Sequence, residues 1–269
     1  LDGMEEYQKT FSPDELEVTY VDAQNDPSKQ ISQIETFISQ KMDAIVCLPV
    51  DINTGPEIVK RAKQANIPLV IVNREFPGLE EADAFVGSNS YESGTIQTEE
   101  VVKQLGGKGN IAIMNGVLGE QAAIDRTAAT KDVIAKHPDM KIVLEKTASW
   151  DRAEGMKLME NWLNSGIKID AVIANNDEMA IGAIMAAEAA GKLNDILFAG
   201  IDATPIALEH VKAGKLKVTV FQDGAGQGKG GLESAVKLAR GEQVEKSIMI
   251  PYQLVTKDNV DEFIKKYQK

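Results

Sequence analysis

Chemistry that depends on thiols, imidazoles or metal clusters has little to work with in this 269-residue chain. There is one cysteine, Cys47, and there are two histidines, His137 and His210. A lone thiol excludes any disulfide within the chain. Its place in the apolar run Ala44-Ile-Val-Cys-Leu reads as a buried structural side chain. The histidines fall near helix ends far apart in sequence, so with that cysteine they offer no metal-ligand set. No Gly-x-Ser-x-Gly turn presents a nucleophile. A basic excess is missing too: acidic residues outnumber basic ones 41 to 29, so there is no surplus to neutralise phosphates, and a nucleic-acid partner is disfavoured. No apolar stretch approaches the ~20 residues needed to span a membrane. A signal-peptide pattern is also missing, which carries no weight because a mature or trimmed chain would lack one.

What is present is an alternation. Hydrophobic residues make up 43% of the chain and charged residues 26%, the balance of a globular protein, and the length suits one large domain or two smaller ones. The chain opens on a helical pattern at Leu1 with no strand before it. Residues 16–21 read as the first strand, followed by Asp22, Gln24, Asn25 and Asp26. Pro27-Ser28 opens a helix with Ile31, Ile34, Phe37 and Ile38 on one face. Strands are expected at 44–48, 67–72 and 84–86, with helices at 56–64 and 95–105. After the turn at Gly106-Gly-Lys-Gly109 the pattern restarts: strands at 110–114, 141–145, 171–174, 196–201 and 216–221 alternate with helices. A glycine-rich helix start at 225–231, a helix over 232–240, a short strand near 248–251 and a closing helix near 259–267 complete the chain. Such alternation argues for parallel sheets with helices on both faces, and its two successive runs suggest two lobes.

The polar residues fall just past the strands. Residues 171–174 end in Asn175, Asn176 and Asp177. Residues 196–201 end in Asp202, ahead of the helix-start signal Thr204-Pro205. In open parallel sheets ligands bind beyond the carboxyl ends of the strands. Reading those positions alone gives Asn73, Arg74, Trp150, Asn176, Asp202 and Gln222, with Arg126 early in a helix after another strand. Planar amides, a carboxylate, guanidinium forks and an indole are the mixture a polyhydroxylated ring needs, with hydrogen bonds around its rim and an apolar face against its plane. Taken singly, each has another reading. Asn176 or Asp177 caps the following helix, Asp202 caps the helix at Thr204-Pro205, and Arg126 pairs with Asp125 or Glu120 on a solvated face. Trp150 packs in the core, and Gln222 alone carries no signal. The run Gly226-Gln-Gly-Lys-Gly-Gly231 has dinucleotide-loop spacing, but no acidic residue ends the next strand and Lys229 lacks a following Ser or Thr, so neither nucleotide loop fits.

Four segments together carry a resemblance: Asn176-Asp-Glu-Met-Ala-Ile-Gly-Ala, Gly200-Ile-Asp-Ala-Thr-Pro, Gln64-Ala-Asn-Ile-Pro-Leu-Val-Ile-Val-Asn-Arg and Val211-Lys-Ala-Gly-Lys-Leu. They resemble the ribose/galactose-type periplasmic sugar-binding proteins, the substrate-binding components of sugar ABC transporters, and the likeness runs through nearly the whole chain. It implies an α/β protein of two similar Rossmann-like lobes with parallel sheets, joined by three crossover segments near Gly87-Ser88, Gln222-Asp223 and Pro251-Tyr252. One lobe would comprise residues 1–88 plus 223–251, the other 89–222 plus 252–269, with the ligand clamped between them. Members open with a strand that precedes a helix like the one at Leu1, so this chain is expected to lack the first N-terminal strand. By the resemblance, Arg74 and Arg126 are sugar-binding arginines, Trp150 the stacking aromatic, Asn176 and Asp202 hydroxyl ligands, and Gln222 the polar residue of the second crossover. Asn73 stands where ribose binders have Asp, and Trp150 where Phe is common. Both departures favour a pyranose or a cyclitol such as myo-inositol over ribose. The implied partners are a small sugar or cyclitol and a membrane permease, with no cofactor, no catalysis, a monomeric state, and a periplasmic or lipid-anchored extracellular location. A sugar-responsive transcription repressor core shares the fold and is the alternative, although Lys192-Leu-Asn-Asp-Ile-Leu-Phe lacks the Val-Pro-type turn common in those repressors.

Overall fold

The computed structural model describes residues 1–12 and 14–268. The chain divides into two compact units, Leu1–Ser88 with Asp223–Pro251 and Asn89–Gln222 with Tyr252–Lys269. Taken along the chain, the first unit begins with α1 (Asp2–Gln8), α2 (Pro27–Ser39), β1 (Ile45–Cys47), α3 (Thr54–Ala65), β2 (Leu69–Val72) and β3 (Ala84–Gly87). The second unit follows with α4 (Ser90–Leu105), β4 (Lys108–Asn115), α5 (Gln121–Ile134), β5 (Asp139–Thr147), α6 (Arg152–Asn164), β6 (Ala171–Ala174), α7 (Asp177–Ala189), β7 (Leu197–Ala199), α8 (Pro205–Lys212) and β8 (Thr219–Phe221). The chain then returns to the first unit for α9 (Gly224–Ala239) and β9 (Ser247–Met249), and ends in the second with β10 (Gln253–Val255) and α10 (Val260–Lys266).

Each unit has a four-stranded parallel sheet, ordered β1-β2-β3-β9 in the first and β5-β4-β6-β7 in the second. Strands buried on both faces read as continuous apolar runs, because each face meets helices. In the first unit Leu69 and Ile71 pack with Ile34 and Ile58, while Val70 and Val72 face Ala235 of α9. In the second, Met114, Val172 and Ala174 pack with Leu158, Met179 and Ile181, and Ile111, Ile113 and Ile173 face Val101 and Val133. The strand-to-helix turns are built from caps. Asp26 accepts from Ser28 N and Lys29 N at the head of α2, Asn89 caps α4, Asp151 caps α6 and Thr204 caps α8. A cap oxygen satisfies amide hydrogens that the helix leaves unpaired. Gly94 lets α4 approach α5 closely, since a Cβ there would lie 2.6 Å from the Arg126 carbonyl oxygen.

Three expectations change. Residues 16–21 form no strand and join no ladder, with Tyr20 and Val21 exposed. Local pattern favours extension there, but a strand also needs a neighbouring edge, and β1 pairs only with β2. The glycine-rich helix start at 225–231 and the helix over 232–240 are one continuous helix, α9, whose glycines allow close packing: a Cβ on Gly231 would lie 2.7 Å from Val72 Cγ1. β10 is an unforeseen strand, and it pairs antiparallel with β8, so the second unit is not purely parallel. Single parallel bridges, Ala199 to Val218 and Asp202 to Phe221, tie β8 to the chain running through β7.

Candidate functional site

Arg126 lies one turn into α5 and is 4% exposed. Its Nη1 donates to the Asn175 carbonyl oxygen at 2.6 Å and its Nη2 to the Tyr252 hydroxyl at 3.0 Å. Its Nη1 is also 3.8 Å from Asp202 Oδ1, and its Nε is buried without a partner. The guanidinium carbon lies 5.7 Å from the Trp150 ring centroid and 6.0 Å from that of Tyr252. A delocalised cation is attracted to both ring faces, so the fork is held by two aromatics, one carbonyl and one carboxylate. The solvated pairing with Asp125 or Glu120 does not occur.

Trp150 sits in left-handed backbone at φ 65°, directly before Asp151, the cap of α6. Its Nε1 donates to Glu120 Oε2 at 3.0 Å, and its ring covers Gly116, where a Cβ would lie 2.1 Å from Cζ2. Trp150 is half-buried and packs against the core with one part of its surface. Asn176 is the cap of α7: its Oδ1 accepts from Met179 N at 3.0 Å, and its Nδ2 donates to the Trp150 carbonyl oxygen at 3.2 Å. Its capping reading is therefore correct, and the same amide also fixes the backbone beneath the indole.

Asp202 does not cap α8, because Thr204 does so. Its side chain is 27% exposed. Burial pushes its carboxyl up to about 6, with Arg126 pulling it down and Glu178 pushing it up. Gln222 is half-buried, and its backbone N–H donates to the Asp202 carbonyl oxygen at 3.2 Å. In the second unit Trp150 and Asp202 thus lie against the Arg126 guanidinium, while Asn176 bonds the backbone of Trp150 and Gln222 that of Asp202.

In the first unit Asn73 and Arg74 follow β2. Asn73 is exposed, at φ 66°, and its Nδ2 donates to Gln227 Oε1 at 2.9 Å; Gln227 Nε2 in turn donates to Ser88 Oγ at 2.8 Å. Half-buried Arg74 directs Nη1 to the carbonyl oxygens of Pro49 at 2.6 Å and Val50 at 2.5 Å.

Several functional candidates were not singled out by sequence. Tyr252, 5% exposed, is a direct partner of Arg126. It follows a strand as closely as the others do, so the strand-end rule itself points to it. Asn175 accepts at Oδ1 from Gly116 N at 3.0 Å, and the Thr127 hydroxyl lies 3.1 Å from that oxygen and 3.0 Å from Asn115 Oδ1. Those buried amides and the hydroxyl brace the loop under Trp150. Among the described residues no group of three or more His, Cys, Asp or Glu side chains is placed to hold a metal ion. The side chains present can donate to and accept from hydroxyls and can cover the face of a ring.

Residues 1–243 match the family described as periplasmic binding protein domain. A Rhizobium meliloti protein that carries the designation rhizopine-binding protein is 50% identical over 267 residues, spanning 97% of this chain and 86% of that one. A xylitol-binding protein of Mycolicibacterium smegmatis is 37% identical over 264 residues, spanning 97% of this chain and 73% of that one. A crystal structure of an ABC transporter solute binding protein from Bacillus halodurans C-125 with bound myo-inositol superposes with a TM-score of 0.94 at 55% identity, covering 99% of this chain and 92% of the other.

Proposed function

The chain belongs to the periplasmic binding protein family, and from that premise we propose that it is the solute-binding component of an ABC importer for a cyclitol or pyranose. The observation that carries this reading is the Arg126 guanidinium fixed between the Trp150 and Tyr252 rings beside the Asp202 carboxylate. A rigid donor fork, an anionic acceptor and a flat apolar face are held together before any ligand arrives, so little ordering remains to oppose binding. A site of this kind rejects analogues that lack the hydroxyls, because its buried polar groups would be left unpaired.

Arg126, Trp150, Asn176, Asp202 and Gln222 of the second unit are the proposed ligand contacts there, and Asn73 and Arg74 are those of the first. Tyr252 joins them as the partner of Arg126. The neutral Asn73 amide supports a six-membered polyol over ribose, and so does the myo-inositol in the Bacillus halodurans relative. Membership of the family supports a location outside the cytoplasm, a membrane permease as partner and a binding rather than a catalytic role. We take the working form to be the monomer, free of cofactor and nucleic acid. No observation favours the repressor alternative, and the transporter assignment of the Bacillus halodurans relative favours transport.

Calorimetric titration with myo-inositol, xylitol, glucose, galactose, xylose and ribose tests the reading, with thermal shift as a second readout. A ligand that binds only the folded protein stabilises it by ~2.7 kcal/mol at a hundredfold excess over its Kd. Selective binding of myo-inositol or one pyranose is expected. Tight binding of ribose with no response to any six-membered ring would overturn the ligand class, and no binding to any polyol would overturn the function.

A further inference from the structure

The binding site leaves one buried acid unused. Asp177 stands at the first position of α7, where a carboxylate ordinarily faces solvent and the helix amides, yet it is fully buried. Burying a charge is costly unless it is fully hydrogen-bonded. Its side chain turns away from its own helix. Oδ1 accepts from the Thr219 hydroxyl at 2.7 Å and Oδ2 from Thr204 N at 3.0 Å, while the Ala203 N–H is also directed at the carboxylate. Thr219, itself fully buried on β8, accepts from Ala203 N at 3.1 Å. Gly200 is the position that admits the carboxylate: a Cβ there would lie 2.3 Å from Asp177 Oδ1.

The turn these groups hold is unusual. Asp202 and Ala203, neither of them glycine, have φ values of 124° and 55°, a region that residues with side chains occupy only when the surroundings impose it. Immediately beside it, the Asp177 backbone N–H donates to the Ile201 carbonyl oxygen at 2.8 Å and is directed also at the Asp202 carboxylate. The same turn sets where that carboxylate stands, 3.8 Å from Arg126.

We infer that Asp177 and Thr219 are positioning residues: they clamp the turn at residues 202–204, with Asp202 and Ala203 in left-handed backbone, and so aim the Asp202 carboxylate at Arg126 and at a ligand hydroxyl. This rests on the proposed polyol site. Burial, and then the charge of Asp202, raise the Asp177 carboxyl well above its usual range, while the hydroxyl of Thr219 and the amides of Thr204 and Ala203 oppose that rise. The Thr219 hydroxyl and the Thr204 amide donate to the carboxylate, while burial and the Asp202 charge oppose its ionised form.

The test uses Thr219→Val, which keeps the shape and removes the hydroxyl, and Thr219→Ser, which keeps the hydroxyl, each with and without Asp202→Asn. Binding of myo-inositol is measured by calorimetry. Thr219→Val should weaken it by about tenfold or more and Thr219→Ser by no more than about twofold. In the Asp202→Asn background Thr219→Val should cost less than about twofold, because residues that act through one another are not additive. Equal losses for Val and Ser, or a full additive loss beside Asp202→Asn, would overturn the inference. Amide hydrogen exchange at Ala203 and Thr204 in the ligand-free protein reads the clamp without any ligand. Selective loss of protection there in Thr219→Val, with α7 unchanged, is expected, and unchanged protection would overturn it. Wild-type protein that bound no polyol would sink the functional reading, while the exchange measurement would still judge the clamp.

Discussion

Arg126 and Arg74 are the same residue type, one a turn into α5 and the other just beyond β2, and the two units hold them in different ways. Arg126 is held by other side chains of the proposed site: Tyr252 accepts from it, Asp202 faces it and Trp150 covers it. Arg74 is half-buried and directs Nη1 to two backbone carbonyls, those of Pro49 and Val50. Removing the first guanidinium strips three other side chains of their partner, whereas the second braces the backbone carbonyls of buried Pro49 and half-buried Val50. The second unit thus gathers side chains on its arginine, and the first sets its arginine against backbone.

The sharpest way to break that comparison is to delete each arginine. Arg126→Met leaves Asp202 without its counter-charge and Tyr252 without its donor. Breaking a buried pair from one side costs about 3–5 kcal/mol, so a large loss of stability is expected, with loss of myo-inositol affinity by about a thousandfold or more. Arg74→Met should lower affinity with a smaller loss of stability than Arg126→Met, because it removes a donor from two backbone carbonyls rather than a counter-charge from a carboxylate. Urea denaturation and calorimetry check both. Equal stability losses for the two variants would remove the distinction between the units.

Next in size is a pH effect confined to the second unit. Asp202 has its carboxyl raised to about 6 in the folded protein, against about 3.9 for an aspartate in an unfolded chain. Between those values the folded state binds more protons than the unfolded one, so this group lowers stability as pH rises through the window, and its cost is complete above it. Asp202→Asn removes that titration, so the fall in stability between about pH 4 and about pH 6 should flatten, while the buried Arg126 loses its counter-charge. The same change should weaken ligand binding by about a hundredfold, since an ionised acceptor to a hydroxyl is lost. Wild-type affinity should fall as pH drops through about 6, and affinity in the variant should be flat there. Asp177, raised in the same direction, contributes a slope of the same sign that remains in Asp202→Asn.

How legible this site was depends on which link of the chain one follows. Alternating apolar runs and helix-start residues place the strand ends, and with them Asn73, Arg74, Trp150, Asn176, Asp202 and Gln222, because those signals are local. Partners are not local. Residues 16–21 have a strand's pattern, but nothing in them records whether an edge is available to pair with. β10 spans only Gln253–Val255, too short to show a period, so its antiparallel pairing goes unseen. Arg126 could be read from sequence equally well as buried or solvated; the close approach of α4 and α5 at Gly94 and the acceptors at Asn175 and Tyr252 decide it. Asp177 was legible as a cap, and its actual partners lie 26 to 42 residues away, at Ala203, Thr204 and Thr219.

A smaller change tests preorganisation in the second unit without deleting any polar group. Gly116→Ala puts a Cβ where the Trp150 ring lies, 2.1 Å from Cζ2. Overpacking of this kind costs about 1–3 kcal/mol, and the half-buried indole can relieve it by swinging outward. Its bond to Glu120 and its place over Arg126 are lost in that movement. An affinity loss of about tenfold is expected, together with a change in tryptophan fluorescence in the ligand-free protein. Unchanged affinity with an altered fluorescence spectrum would mean that the ring's position is not part of the proposed site.

The smallest expected effect lies in the first unit. Asn73 is in left-handed backbone, which asparagine tolerates better than most residues, and its Nδ2 is engaged by Gln227, which is itself engaged by Ser88. That relay leaves the Asn73 Oδ1 as the acceptor offered to a ligand. Gln227→Leu removes the relay and frees the amide to rotate. Because Asn73 is exposed, water can replace the lost partner, so a decline of only about twofold to fivefold in myo-inositol affinity is expected. Selectivity among polyols should loosen by more than affinity falls, since an amide that turns freely offers donor or acceptor equally well. A loss as large as that of Gly116→Ala would show that the first unit is organised as tightly as the second, and the contrast between Arg74 and Arg126 would then reflect burial alone rather than two ways of building a site.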